Sequence, residues 1–217
     1  MSVPKPTSGA KTPGPRLARV KTQKKLDDVL NKAAALIARK GFEAATMRDL
    51  GKAIDSSLAG LYYYFSSKED LLFQLQYRTF LSLLESQREI AAIPGTSEER
   101  FARMVTGHLE FYARHTNELK ACTFELESLS GKPYEKVEAI RREYYQLMAS
   151  VVGDVMHGAS KNASEARKAR HASLFIFGML NWIFMWYDPA RHGTVEQIGR
   201  EMQDLVLNGI RRKKRSG

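Results

Sequence analysis

Apolar residues recur along most of this chain at spacings of three and four, the period of one helix face. Leu26, Val29, Leu30, Ala33 and Ile37 form the first stripe, which ends at Gly41, a common helix stop. Met47, Leu50 and Ile54 form the second, opened by Thr46, whose hydroxyl can cap free backbone N–H groups. Gly51 lies on that face, where a missing side chain would let another helix cross closely. Asp55-Ser56-Ser57 then supplies turn chemistry, because Asp tolerates a left-handed backbone and Ser57 can cap a new helix. That helix is predicted over Leu58 to Tyr64, with Leu61 and Phe65 inward and Leu58, Ala59 and Gly60 at its outer N-terminal end.

The pattern stays helical further on. A fourth helix starts at Lys68 and runs to about Ile90, its Ser67-x-x-Asp70 spacing resembling a capping box, and Pro94-Gly95 breaks it. Thr96-x-x-Glu99 is a capping box ahead of Phe101, Met104, Val105, Leu109, Phe111 and Tyr112. A shorter helix holding Leu119, Phe124, Leu126 and Leu129 stops at Gly131, and Pro133 opens a long one that Gly158 closes. The last helix is expected from Val195 to Ile210. No stretch alternates with period two over a useful length. The expected fold is all-α: a three-helix N-terminal domain over 23–71, then a larger helical domain over 72–210.

Ala172 to Tyr187 carries no charged residue and reads as one helix ended by Asp188-Pro189. Its sixteen residues reach about 24 Å, short of a bilayer core of about 30 Å, so no membrane partner is expected. A helix apolar all round is instead buried on both sides. Phe175, Gly178, Met179 and Trp182 are the candidate face for the protein's own core. Leu174, Phe177, Asn181 and Phe184 are the candidate face for a second subunit, although periodicity alone leaves that assignment open. With Met202 and Leu205 of the last helix, Leu174, Phe177 and Phe184 would form a homodimer interface around a twofold axis.

Two short helices joined by a tight turn form a helix-turn-helix, whose second helix enters the major groove N-terminus first. The candidate DNA contacts are Thr46, Arg48, Ser57, Leu58, Ala59, Gly60, Tyr62, Tyr63, Tyr64 and Lys68. Leu58 or Ala59 would touch a thymine methyl, and a tyrosine hydroxyl is a good phosphate donor. Lys68 starts a helix whose dipole also favours a phosphate. The competing reading is a packed hairpin with core tyrosines, but three consecutive tyrosines cannot all face one core.

These residues carry a family resemblance. Gly41-Phe42-Glu43-Ala44-Ala45-Thr46, Met47-Arg48-Asp49-Leu50, Leu61-Tyr62-Tyr63-Tyr64-Phe65 and Ser67-Lys68-Glu69-Asp70-Leu71 resemble the N-terminal signature of the TetR family of transcriptional regulators. Asp55, Ser56 and Tyr64 depart from that pattern, so the preferred DNA sequence does not transfer. The stretch from Phe177 to Pro189 also resembles TetR-type regulators of fatty-acid and sterol catabolism. The resemblance implies a helix-turn-helix DNA-binding domain over 23–71, a ligand-binding and dimerisation domain over 72–210, and a repressor released from a palindromic double-stranded operator by an acyl-CoA or another bulky apolar small molecule.

Charge adds one thing. The net +10 is concentrated: residues 1–25 and 211–215 hold twelve of 34 basic groups, leaving 22 basic against 24 acidic elsewhere. Residues 1–22, rich in Pro, Gly and Lys, are expected to be a disordered basic arm that binds phosphate by counterion release, and 211–217 a basic tail. An alternative function follows from those ends, a sequence-tolerant architectural DNA-binding protein. One cysteine, Cys122, excludes an internal disulfide, and no apolar leader stands at the N-terminus, so a cytoplasmic location is expected.

For the effector, aromatic and Met walls with few polar groups are needed. The candidates are Phe111, Phe124, Tyr144, Met148, Met179 and Trp182, with His108 and Asn181 as polar contacts. Each taken singly is equally explained by core packing. No cofactor or metal is expected, because His108 and His115 lie seven apart and metal ligands on a helix recur at three or four. No phosphate loop, zinc motif or nucleophile elbow is present, so no enzyme is expected.

Overall fold

The computed structural model describes the backbone of residues 15–158 and 162–209, and side chains over 24–156, 158 and 162–209. Among the described residues the fold is helical throughout. Its elements are α1 (Pro15–Lys40), α2 (Met47–Ala53), α3 (Leu58–Tyr64), α4 (Lys68–Ala92), α5 (Ser97–Arg114) and α6 (Thr116–Phe124), then α7 (Gly131–His157), α8 (Ala163–Asn181), α9 (Pro189–His192) and α10 (Val195–Asn208). Single 3₁₀ turns lie at Leu126–Ser128 and Ile183–Met185. No described helix is long and apolar enough to cross a membrane.

Local chemistry sets many of the boundaries. Thr46 Oγ1 accepts from Asp49 N–H at 3.1 Å while the Asp49 carboxylate accepts from Thr46 N–H at 3.2 Å, a complete capping box. Ser57 Oγ accepts from Gly60 N–H at 3.1 Å and opens α3. Between them Asp55 has φ 56°, the one positive φ on a non-glycine among the described residues. Thr96 with Glu99 and Thr194 with Gln197 repeat the box at α5 and α10. At α4 the return bond differs from expectation: Asp70 accepts from Ser66 N–H at 2.8 Å, one residue before the cap Ser67.

Two apolar cores form. One gathers Leu30, Ile37, Leu50, Leu61, Phe65, Leu71 and Leu72 with Cys122, Leu129 and Val137. The other joins α4, α5, α7, α8 and α10 around Leu84, Phe101, Met104, Tyr144, Met148 and Leu180. α4 runs through both, and Phe80 packs against each. The first core therefore includes residues of α6 and α7, so packing does not stop at position 71. Burial pushes the Cys122 thiol up to about 12, which keeps it un-ionised.

Several boundaries differ from the reading of the pattern. α1 begins at Pro15, inside the arm expected to be disordered, since Pro suits a first turn and Arg, Leu, Ala and Lys propagate it. Residues 1–14 and the basic run 211–215 lie outside the described residues. Gly131 opens α7 with φ 58° instead of ending the previous helix, which places Pro133 in the first turn. Gly51 is not a helix crossing: a Cβ there would meet Ser56 O at 3.1 Å, so the gap admits the turn backbone. The uncharged run is not one helix either. α8 ends at Asn181, and a turn puts Ile183 into the core, where bulky aromatic and β-branched residues make helix continuation poor.

Candidate functional site

The first two helices of the turn motif present an exposed face. Arg48, Ser57, Leu58 and Ala59 are exposed, with Tyr62 and Tyr63 beside them; Tyr63 is 82% exposed. Lys52, which the pattern did not single out, shares the exposed side of α2. Four candidates have internal duties as well. The Thr46 and Ser57 hydroxyls accept capping bonds. A Cβ at Gly60 would fall 2.5 Å from Ser56 Oγ, so a larger residue there would make the Ser56 side chain rotate away. Tyr64 is half-buried against the first core, edge-on to Tyr63 at 5.2 Å.

Lys68, a fifth candidate, also has internal contacts. Its Nζ donates to Phe42 O at 3.0 Å and Glu43 O at 3.4 Å, and lies 4.3 Å from the Phe42 ring centroid. It fastens the α1–α2 turn, because a cation over an aromatic face that also satisfies two carbonyls is held in place.

A cavity of about 230 Å³ lies between α4, α5, α7 and α8. Three candidates, His108, Tyr144 and Asn181, line it. Phe80, Tyr112, Arg141 and Phe177 complete the part of the wall that carries chemistry. His108 Nδ1 lies 2.7 Å from the Tyr144 hydroxyl, and Tyr112 donates to Asn181 Oδ1 at 3.1 Å. The His108 ring stacks between Tyr112 and Tyr144, with centroids at 4.8 and 5.7 Å. Burial holds His108 down to about 3 and pushes Tyr112 up to about 12 and Tyr144 well above its ordinary value. All three are neutral at physiological pH. Asn181 lies close enough to His108 to favour its protonated form, yet among the described residues His108 Nε2 has no hydrogen bond of good geometry. Arg141 brings a charge to this wall, 5.6 Å from the Phe80 ring centroid and 3.4 Å from Glu138.

The remaining effector candidates do not meet there. Met148 is core, and Phe111 packs in the second core against His115. Phe124 is exposed and edge-on to Phe184. Met179 and Trp182 line an open groove of about 680 Å³ between α8 and α10, together with Phe175, Trp186, Met202 and Leu205. The α8 face offered for the protein's own core is thus the more exposed one, and the face offered for a second subunit turns inward at Phe177. Phe175 is 71% exposed, whereas Phe177 lines the cavity and Phe184 packs toward Tyr112. Ser173, Ile176 and Leu180 form the buried edge between them. Leu174 is exposed and borders both cavity and groove. Periodicity names the residues of a face but not which face a neighbour covers.

Two family profiles match this chain: bacterial regulatory proteins of the tetR family over residues 29–75, and the tetracyclin repressor-like C-terminal domain over 94–210. Among characterised relatives, the fatty acid metabolism regulator protein of Bacillus subtilis is 21% identical over 187 residues, covering 85% of this chain and 95% of that protein. The transcriptional repressor KstR2 of Mycobacterium tuberculosis is 24% identical over 186 residues, covering 84% and 91%. A TetR-family regulator from Bordetella parapertussis superposes with TM-score 0.79 at 25% identity, covering 85% of this chain and 95% of that one. The regulator AibR, solved with isovaleryl coenzyme A and operator DNA, superposes with TM-score 0.74 at 22% identity, covering 84% and 98%. With its turn motif under one profile and its helical body under the other, this chain belongs to the TetR family of transcriptional regulators.

Proposed function

We propose that the protein is a homodimeric repressor of a palindromic operator, released by a bulky apolar effector of the acyl-CoA class. The observation that carries the reading is the placement of the cavity: it opens against Phe80 and Leu83 of α4, the helix whose first turns belong to the DNA-binding core. An effector that binds better when α4 is displaced would shift the two recognition helices, and differential affinity is the only route by which it can act. Half-sites repeat at about 34–36 Å, so a shift of a few ångströms takes the pair out of register. The effector class is supported by the apolar walls, by Arg141 as a partner for an anionic group, and by the isovaleryl coenzyme A bound to AibR. The apolar α8–α10 groove supports a second copy, since such exposed patches mark interaction sites.

Selection of bound DNA from a random pool tests the reading, followed by titration of the recovered site with acyl-CoAs of increasing chain length. An inverted repeat released by one length class is expected. A pool with no consensus would favour the architectural alternative instead.

A further inference from the structure

The neighbours of one unpartnered atom say what kind of group it needs. His108 is fully buried and lines the cavity, and among the described residues its Nε2 has no hydrogen bond of good geometry, although Asn181 lies near the ring. The ring is neutral, because burial disfavours the imidazolium, and so it carries one proton. Tyr144 decides where that proton sits. Its buried hydroxyl has one hydrogen-bond partner among the described residues, His108 Nδ1 at 2.7 Å. A buried O–H without an acceptor is costly, so Tyr144 donates and Nδ1 accepts. The opposite tautomer would give Nδ1–H the phenolic oxygen, strand the phenol hydrogen inside the core and leave Nε2 a bare acceptor, whereas an N–H at Nε2 belongs to a residue of the cavity wall, where a guest can satisfy it. Tyr112, whose hydroxyl donates to Asn181 Oδ1, makes no hydrogen bond to Tyr144 among the described residues. The proton therefore lies on Nε2, a neutral N–H donor at the wall of an apolar cavity.

We propose that His108 Nε2–H is the recognition donor for a carbonyl oxygen of the effector, with a short acyl group filling the cavity around it. This rests on the acyl-thioester reading above and names the atom that reads the thioester. A thioester or ketone oxygen accepts one hydrogen bond and brings no charge to desolvate, which suits this lining. The cavity's 230 Å³ falls below the span of about 300–1,000 Å³ of drug-sized sites, so a short acyl group fits and the remainder of a larger molecule lies outside.

Nitrogen NMR of the full-length protein, labelled at histidine, reads the tautomer directly: His108 is expected with Nε2 protonated and Nδ1 bare. Calorimetry then compares isovaleryl-CoA with its thioether analogue S-isopentyl-CoA, which keeps shape and charge but lacks the carbonyl. The thioester is expected to bind about tenfold more tightly, the scale of one buried hydrogen bond. The double variant His108→Phe/Tyr144→Phe removes donor and partner together without stranding either, and should abolish that difference. Equal binding of the two CoA compounds to the unmodified protein, or an Nδ1-protonated ring, overturns the proposal. A CoA-free pair, methyl isobutyl ketone and isohexane, separates its failure from that of the effector class. If neither CoA compound binds but the ketone outcompetes the alkane, the class falls and the donor stands. If ketone and alkane bind alike, the donor falls. If no probe binds, the proposal falls whatever the tautomer.

Discussion

Phe42 N–H donates to Glu125 Oε1 at 2.8 Å, a bond that ties the turn after α1 to the end of α6 across 83 positions. Glu125 is held from other sides too: its backbone oxygen accepts from Gln76 Nε2 at 2.8 Å, and Ser128 Oγ donates to Oε2 at 2.9 Å. One residue thereby joins the DNA-binding unit, α4 and the start of the helical body. Glu125→Ala is expected to cost about 1.5–3 kcal/mol, the range for a hydrogen bond to a charged group, measured by urea denaturation. It should also raise the effector concentration needed to release DNA. Release at an unchanged concentration would reduce Glu125 to a structural clip.

Arg48→Ala and Lys52→Ala should each lower the salt slope of DNA binding by about 0.9 if each neutralises one phosphate. Tyr62→Phe should weaken all sequences alike, while Leu58→Ala or Ala59→Ser should change which site is preferred. Fluorescence anisotropy at several salt concentrations, on cognate and scrambled DNA, separates these behaviours. Lys68→Ala should instead lower thermal stability with little change in slope, because its ammonium is bound to Phe42 O and Glu43 O.

Asp55 at φ 56° sits where most L-residues are strained. Asp55→Gly should be tolerated, whereas Asp55→Val should cost about 1–2 kcal/mol, the left-handed penalty of a residue with a crowded Cβ. Denaturant midpoints of the two variants provide the comparison. Equal midpoints would show that the turn relaxes.

His108 supplies a pH dependence. Its folded value, depressed to about 3, lies below the unfolded value of 6.5, so the unfolded chain binds the extra proton between them. The contribution is complete above 6.5 and is lost as pH falls toward 3, at no more than about 1.4 kcal/mol per unit. Between pH about 5 and 6.5, above the carboxylate range, stability should fall with a slope that His108→Phe/Tyr144→Phe lacks. Denaturation at several pH values measures it, and parallel slopes would show that the buried ring is reached by solvent.

Phe175→Glu and Leu205→Glu should convert a dimer to monomers in sedimentation, since a charge in a desolvated patch without a partner is costly. The same variants in a protein already monomeric would change nothing, and the proposed operator symmetry would go with the dimer.

The helix-turn-helix was legible from residue types because its signals are local. Thr46 caps a residue three positions on, Ser57 does the same, and Asp55 sets its own φ. The effector site was only partly legible. His108, Tyr144 and Asn181 stood out as polar or aromatic residues in apolar stripes, but nothing marked Tyr112, Arg141 or Phe177 as their neighbours. A search for polar side chains on otherwise apolar faces would have reached Tyr112 as well.

Chain order alone was enough for the helical class, the caps at Thr46, Ser57 and Thr96 and the exposed tip of α3, because each depends on contacts within one or two turns. Packing decided the rest. His108 meets Tyr144 across 36 positions and Tyr112 meets Asn181 across 69, and only helix crossing brings such pairs together. The same crossing turned Phe177 inward and Phe175 outward, and brought Lys68 to the Phe42 and Glu43 carbonyls, since which side of a helix is covered depends on its neighbours in space.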